Sequence, residues 1–250
     1  MKTDDKNESW ISRTELLIGE EACKMLNGKH VLIVGIGGVG GYAAEQLCRA
    51  GIGELTLVDG DKVHTSNRNR QITALCSTND LYKCDVMKDR LLDINPNVKI
   101  NIYKEYIKDK RMVEILERGY DYVVDAIDTV SPKAFLIYHT YNLKMPIVSS
   151  MGAGGKFDPT LIMVSDLYDS YQCRLAYYMR KRLHKLGVGR GVDVVFSTEK
   201  VDKSSIVYTE NEQNKRTNVG TISYMPAVFG CACASVVIRY FLSSPACCNK

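Results

Sequence analysis

The run His30–Gly41, HVLIVGIGGVGG, constrains this chain more than any other stretch. An apolar strand stops at Gly35. Gly35, Gly37 and Gly40 then fall at the G-x-G-x-x-G spacing, and a helical stretch follows over 42–50. Glycine lets a chain turn tightly and come close to a ligand. The helix start offers unpaired N–H groups and a partial positive charge to phosphate. A second strand, Glu54–Val58, ends at Asp59. That is the place, about 20 residues on, where dinucleotide folds keep a ribose-binding carboxylate. Strand, turn, helix and strand together predict a nucleotide site, and these features alone fit NAD as well as ATP.

The alternation continues. Residues 12–26 read as a helix with Ser12 as its cap and Gly28 as its stop. An amphipathic helix is expected over 80–94, a strand over 98–103, a helix over 110–118 and a buried strand over 120–127. Pro132 opens a further helix, and 146–149 is a strand. Strands alternating with helices imply parallel pairing through crossover helices. The predicted class is therefore α/β, a Rossmann-like nucleotide-binding fold with a largely parallel central sheet extended by C-terminal strands and helices. After Gly152–Gly155 the pattern changes. Strands over 160–165 and 192–197 flank a helix over 171–186, the polar stretch 199–219 reads as a mobile loop, and an apolar helix covers 226–242. Residues 1–10 look frayed. With no repeat and no linker, one domain is expected over 1–250: a nucleotide-binding half over about 12–150 and a substrate and dimer half over about 151–245.

The formal net charge of +4 permits an anionic partner without requiring one. The nine cysteines are odd in number and scattered, which argues for free thiols in a reducing compartment. The polar N-terminus has no apolar signal core. The run Met225–Ile238 is shorter than the roughly 20 residues of a membrane span, so it reads as a buried helix. A cytoplasmic location and no membrane association are the expectation.

A site that breaks ATP needs more than a dinucleotide site does. It must neutralise a triphosphate, hold Mg²⁺ and stabilise charge moving onto pyrophosphate. The chain supplies Asp59 and Asp61 after the second strand, Asn67, Arg70 and Gln71 in the next loop, and Lys83 at the start of a helix. Asp125 and Asp128 close the fourth strand, and Arg13 precedes the first. An isolated Arg or Lys is usually solvated, and an Asp after a strand is usually a turn residue. In this order around a glycine turn they point to adenylation.

The series GxGGxG, LVDGD, N-x-x-RQ, a Lys leading into a helix that ends INP, and DAID resembles the ThiF-like, ubiquitin-activating-enzyme-like adenylating superfamily. The stretches SRTELLIG, GAGGKFDPT and VFSTE resemble its tRNA threonylcarbamoyladenosine dehydratase branch, and the likeness spans roughly 12–242. The resemblance implies that Gly35, Gly37, Gly38 and Gly40 line the phosphates and that Asp59 holds the ribose, with Asp61 beside it. It implies that Asn67, Arg70 and Lys83 contact phosphate, that Asp128 positions Mg²⁺, and that Arg13 reaches the other subunit's site in a homodimer. The implied substrate is the anticodon loop of a tRNA, with a sulfur-transfer protein as a further partner. Carrier-activating relatives often bear paired CxxC motifs; here Cys231-x-Cys233 has the wrong spacing, so no structural zinc is expected. Cys231 and Cys233 read as core-filling residues.

Between Ser170 and Val192 the chain carries Arg174, Arg180, Lys181, Arg182, Lys185 and Arg190 and no acidic residue, opposite an apolar stripe of Leu175, Met179, Leu183 and Leu186. Such a face suits RNA phosphates or plain solvation. Two competing functions keep the glycine turn. Adenylation of the C-terminal glycine of a ubiquitin-like sulfur carrier keeps the ATP chemistry. An NAD-dependent oxidoreductase would leave Asn67, Arg70, Lys83 and Asp128 idle, as would a non-enzymatic nucleotide-binding scaffold.

Overall fold

Short β-branched runs, buried on both faces, set the architecture. A computed structural model describes residues 9–212 and 215–243. The first half contains α1 (Ser12–Ile18), α2 (Glu20–Asn27), β1 (His30–Val34), α3 (Gly40–Arg49), β2 (Glu54–Val58), α4 (Lys83–Ile94), β3 (Lys99–Tyr103), α5 (Asp109–Leu116), β4 (Tyr122–Asp125), α6 (Val130–Asn142) and β5 (Ile147–Ser150). The second contains β6 (Ile162–Asp166), α7 (Arg174–Lys185), β7 (Asp193–Ser197), β8 (Ile206–Glu212), β9 (Lys215–Val219) and α8 (Tyr224–Leu242). Seven strands form one sheet in the order β3-β2-β1-β4-β5-β7-β6. All pairs are parallel except β6 with β7. The inner strands β4 and β5 are buried along their whole length, as parallel strands covered on both faces must be.

The two faces carry separate apolar layers. Leu47, Leu55, Met87, Phe229 and Val237 belong to one, built with α3, α4 and α8. Leu32, Met112, Ile137, Met179 and Phe196 belong to the other, built with α5, α6 and α7. Helix α8 is long and apolar enough by composition to cross a membrane, yet half of it is buried inside the protein. It lies so close to α3 that a Cβ on Gly230 would overlap the Val39 carbonyl oxygen.

Several expectations are corrected. The helix over 12–26 is two helices, because Gly19 at φ 86° and ψ 155° leaves helical geometry. Ser12 is not a cap: Ile11 occupies that position and makes no side-chain cap bond. Helix α4 starts at Lys83 rather than 80, since Asp80 has φ 64° and Tyr82 bridges to Lys62. The loop expected over 199–219 contains the antiparallel pair β8 and β9; its β-branched residues (Ile206, Val207, Thr209, Thr217, Val219) carry strand preference that polar composition hides. Cys233 is buried in α8, but Cys231 is exposed and fills no core space. The expectation of fraying at residues 1–8 lies outside the described residues.

Asp125 closes β4 and is fully buried, as is Lys133 of α6, whose ammonium lies 2.8 Å from the carboxylate. Ser149 Oγ donates to the same oxygen at 2.7 Å, and the Ile127 N–H donates to the other at 3.0 Å. Lys133 also donates to the Ile127 carbonyl. The pair pins the loop after β4. Asp125, expected as a carboxylate of the site, is committed to this structural bond. Removing one partner of a buried pair strands a charge, at about 3–5 kcal/mol. Lys133→Met should therefore lower the denaturation midpoint by a corresponding amount in urea melts; an unchanged midpoint would contradict this.

Candidate active site

The register aligns Val34 with Val58 and with Asp125. Gly35, Asp59 and Ala126 thus leave the sheet side by side, at the carboxyl edge where open α/β sheets bind ligands. Gly35 has φ 91°, and a Cβ on it would sit 2.8 Å from the Ala126 carbonyl oxygen. A Cβ on Gly40 would overlap the Gly35 oxygen, so both glycines are required for α3 to begin against the turn. Gly38 is closed in by Pro226 of α8 and by the Arg70 carbonyl. Gly37 differs: within 4 Å its Cβ would meet only the Gln71 amide, at 3.8 Å. It is the glycine whose face remains open to a ligand.

Asp59 is fixed by two backbone donors. Its Oδ2 accepts from the Ile36 N–H at 2.7 Å and its Oδ1 from the Asp61 N–H at 2.7 Å. Burial pushes its carboxyl up, against the Lys83 charge and the amide bonds. Each carboxylate oxygen keeps a second lone pair for a hydroxyl. Lys83, almost wholly buried at the first turn of α4, lies 2.6 Å from Asp61 Oδ2. The Tyr106 hydroxyl donates to Asp61 Oδ1, and its ring rests on Gly60. Burial raises the Asp61 carboxyl, but the bonds from Lys83 and Tyr106 outweigh it and hold the group below its usual range. The Tyr106 phenol is pushed up to about 12 by its bond to Asp61, by burial and by the charges of Asp61, Asp59 and Asp128. Asp128 itself is exposed in the loop between β4 and α6.

The loop before α4 is self-braced. Asn67 is buried and accepts from the His64 N–H at 3.0 Å. The Arg70 guanidinium donates to the Ser66 carbonyl at 3.0 Å and to Asn69 Oδ1 at 2.8 Å. Gln71 is buried beside Gly37, and its Oε1 has no hydrogen-bond partner among the described residues. Buried amide oxygens are nearly always satisfied; the atom of this amide nearest Gly37 is Nε2, a donor, 3.8 Å from a Cβ built there. Sequence reasoning assigned no role to Gln71 or Tyr106. For Gln71 the signal was its place directly after Arg70; Tyr106 carries none, because its approach to Asp61 is made only by the pairing of β3 with β2.

Arg13 is not brought to the turn of its own chain. It is exposed on α1, next but one to Ile11, whose Cδ1 packs against Gly51 at the opposite edge, before β2 begins. Helix α1 buries none of its residues, and Leu16 and Leu17 are each 84% exposed.

On α7, Ala176, Met179 and Leu183 face the core, with Leu175 and Leu186 partly buried. Four of the basic residues have local partners: Arg190 pairs with Asp169 at 2.7 Å, Arg180 donates to Ser170, Arg182 donates to Ser131, and Arg174 donates to the Tyr178 hydroxyl. Lys181 and Lys185, with Tyr168, Tyr177, Arg180 and His184, line an open cleft of about 370 Å³.

A model of the ThiF family matches residues 11–249. The chain is 40% identical over 231 residues to a tRNA threonylcarbamoyladenosine dehydratase of Escherichia coli, covering 88% of this chain and 82% of the relative. It is 39% identical over 208 residues to the protein of that name from Bacillus subtilis, covering 83% and 80%. A crystal structure of the E. coli tRNA N6-threonylcarbamoyladenosine dehydratase in complex with ATP superposes with a TM-score of 0.87 at 38% identity, covering 96% of this chain and 98% of that one.

The Lys83–Asp61 pair predicts a pH signature. A carboxyl held below its usual range stabilises the fold fully above about pH 4, and that contribution is lost as pH falls through the group's own lowered value. Lys83→Met removes the cation, so the stability gap between wild type and variant should be about 1 kcal/mol larger at pH 7 than at pH 2.5, after allowing for solvent around the half-exposed carboxylate. Urea melts at the two pH values measure it; a gap that widens in acid would contradict the assignment.

Proposed function

This chain belongs to the ThiF family, and from that premise we propose that it is the ATP-dependent enzyme that dehydrates threonylcarbamoyladenosine in tRNA. The observation that supports the reading is that Asp59, bonded to the Ile36 N–H, and Gln71, beside Gly37, lie at the glycine turn, with the Lys83–Asp61 pair two residues beyond Asp59 and Arg70 next to Gln71. A dinucleotide oxidoreductase would use Asp59 but has no use for the Lys83–Asp61 pair or Arg70. The E. coli relative, similar over nearly its whole length, is described in complex with ATP.

In the reaction, an oxygen of the substrate carboxylate attacks the α-phosphorus of ATP, and the bond to the β-phosphate oxygen breaks. Pyrophosphate leaves, giving an acyl-adenylate. The substrate's own carbamoyl then attacks the activated carbonyl carbon, AMP departs and a ring closes. The carbamoyl loses one proton, and the net change is loss of one water. Because both groups belong to one substrate, the second step is intramolecular and needs no thioester. In this reading Gly35, Gly37, Gly38 and Gly40 shape the phosphate seat at the start of α3, and Asp59 takes the ribose hydroxyls. Asn67 keeps the loop folded so that Arg70 reaches phosphate. Lys83, oriented by Asp61, offsets the charge of the leaving group. Mg²⁺, an ion usually held by one or two carboxylates plus substrate phosphates, would be held by Asp128. It would supply further charge neutralisation.

We read the chain as one adenylating domain, nucleotide-binding over about 12–150 and substrate- and dimer-forming over about 151–245. The exposed apolar side chains Trp10, Leu16 and Leu17 on and before α1 fit the interface of a homodimer that carries Arg13 to the partner's glycine turn. Lys181, Lys185 and Tyr177 fit RNA contact along α7. A cytoplasmic location and a sulfur-transfer partner belong to the same reading.

Three outcomes test it. Arg70→Ala and Asp128→Ala should each lower the rate of ATP-dependent water loss by about 100-fold or more, read by mass spectrometry of the anticodon-loop nucleoside; full activity in both would sink the assignment. Arg13→Ala should be inactive alone, yet mixing it with Arg70→Ala should restore about a quarter of wild-type activity, because half the dimers would then hold one complete site. Affinity for tRNA should fall steeply with salt and less steeply in Lys181→Ala/Lys185→Ala, whereas equal salt slopes would exclude α7 from the RNA surface.

A further inference from the structure

The stretches Gly152–Thr160 and Val195–Glu199 carry residues that nucleotide activation does not use, and the fold brings them together. Strands β5 and β7 are parallel neighbours, so the segments leaving them meet at the edge that holds the glycine turn. Lys156 follows β5 and is only 4% exposed. Its ammonium donates to the main-chain oxygen of Glu199. The Glu199 carboxylate is occupied elsewhere, accepting from the Phe157 N–H at 2.8 Å and the Asp158 N–H at 2.9 Å. Among the described residues Lys156 therefore has a carbonyl as its partner and no carboxylate. An ammonium has three donors, and this bond to a carbonyl leaves two of them for a ligand. Burial pulls the basicity of Lys156 down, against the nearby charges of Cys173 and Glu199.

Lys156 lines a cavity of about 280 Å³ whose other walls include a second cation, Lys200, the acids Glu199 and Asp202, and Ser205 and Ile222. That size is just below the roughly 300–1,000 Å³ of small-molecule sites, suited to a side group rather than a whole nucleoside. The glycines before Lys156 let the walls close. Gly155 has φ 69°, and a Cβ on it would lie 2.5 Å from Val201 Cγ1. The Gly155 N–H also donates to the Gly220 carbonyl at 2.8 Å. The cavity adjoins the adenylating site through bonded neighbours: Arg70 donates to Asn69, and Asn69 Nδ2 donates at 2.9 Å to the carbonyl of Thr221, between wall residues Gly220 and Ile222.

We propose that this cavity seats the threonylcarbamoyl group and that Lys156 pairs with the substrate carboxylate, holding it toward the α-phosphate. The inference rests on the dehydratase reading above. Lys156 supplies the charge that a carboxylate nucleophile needs to enter a triphosphate-bound site. The role is recognition and placement; no covalent bond to Lys156 forms.

The test compares wild type, Lys156→Met and Lys156→Arg for ATP Kd, thermal midpoint, and kcat and KM with threonylcarbamoyl-modified tRNA. Lys156→Met should lower kcat/KM for the modified tRNA about 100-fold, the effect of losing one charge-assisted bond, while ATP Kd stays within about twofold. Lys156→Arg, which keeps the charge, should recover at least a tenth of wild-type kcat/KM. Lys156→Met with near-wild-type kcat/KM would overturn the proposal alone. Loss of ATP affinity or of the thermal midpoint in both variants would overturn it too, by making Lys156 a structural residue. A wild-type protein that fails to dehydrate the modified tRNA would overturn the dehydratase reading and the proposal together.

Discussion

The structure depends on backbone approaching backbone where side chains are missing. Gly40 begins α3 against the carbonyl of Gly35, and Gly35 lies against the peptide after Ala126. One face of α3 is held by α8, through Gly230 at the Val39 carbonyl. A methyl group at any of these points would push a helix off the sheet or lift the turn from the strand beside it. The helix start is thereby fixed at the sheet edge with its N–H groups unspent, which is the physical requirement for holding phosphate. Asp125 and Lys133 finish the same job from below by anchoring the loop that Gly35 touches.

Around that rigid turn the charges are already balanced. Lys83 is bonded to Asp61, Arg70 to a carbonyl and an amide oxygen, and Asp59 to two backbone N–H groups. Local partners hold Lys83 and Arg70 in place without a bound anion. The geometry is then prepared before the nucleotide arrives, so little reorganisation is left for the reaction itself. Two groups keep hydrogen-bonding capacity to spare: the Gln71 amide oxygen, without a partner among the described residues, and the Lys156 ammonium, bonded to one carbonyl.

Much of this was legible in the sequence, and unevenly so. Local signals carried the strands β1 and β2, the glycine turn, and Asp59, Lys83 and Arg70 as neighbours of one edge, because each is fixed by its own strand end or helix start. Gly19 as a helix break escaped notice, since a glycine inside an amphipathic pattern is tolerated until tertiary packing selects its φ. Asp125 and Asp128 look alike in DAID. Only the burial of Lys133 three-dimensionally beneath β4 separates a structural acid from an exposed one. Tyr106 and the Lys156–Glu199 contact join residues from distant strands, and pairing of that kind has no local periodicity to read.

The sheet order gives the two chemical steps a common geometry. β1 and β4 deliver the glycine turn and the Asp128 loop; β5 and β7, next in the same parallel register, deliver Lys156 and Glu199. Parallel strands end at the same edge, so a sheet extended sideways places a second pocket beside the first without a second domain. Neighbouring strands are about 4.8 Å apart, so moving from β4 to β7 shifts the site by only about 10 Å. That spacing suits a substrate whose attacking group and activated group belong to one short chain. A carrier protein needs an open approach for its extended tail; a side group on a nucleoside needs a small closed seat next to the α-phosphate. The cavity beside Lys156, about 280 Å³, is nearer in size to a side group than to a carrier tail.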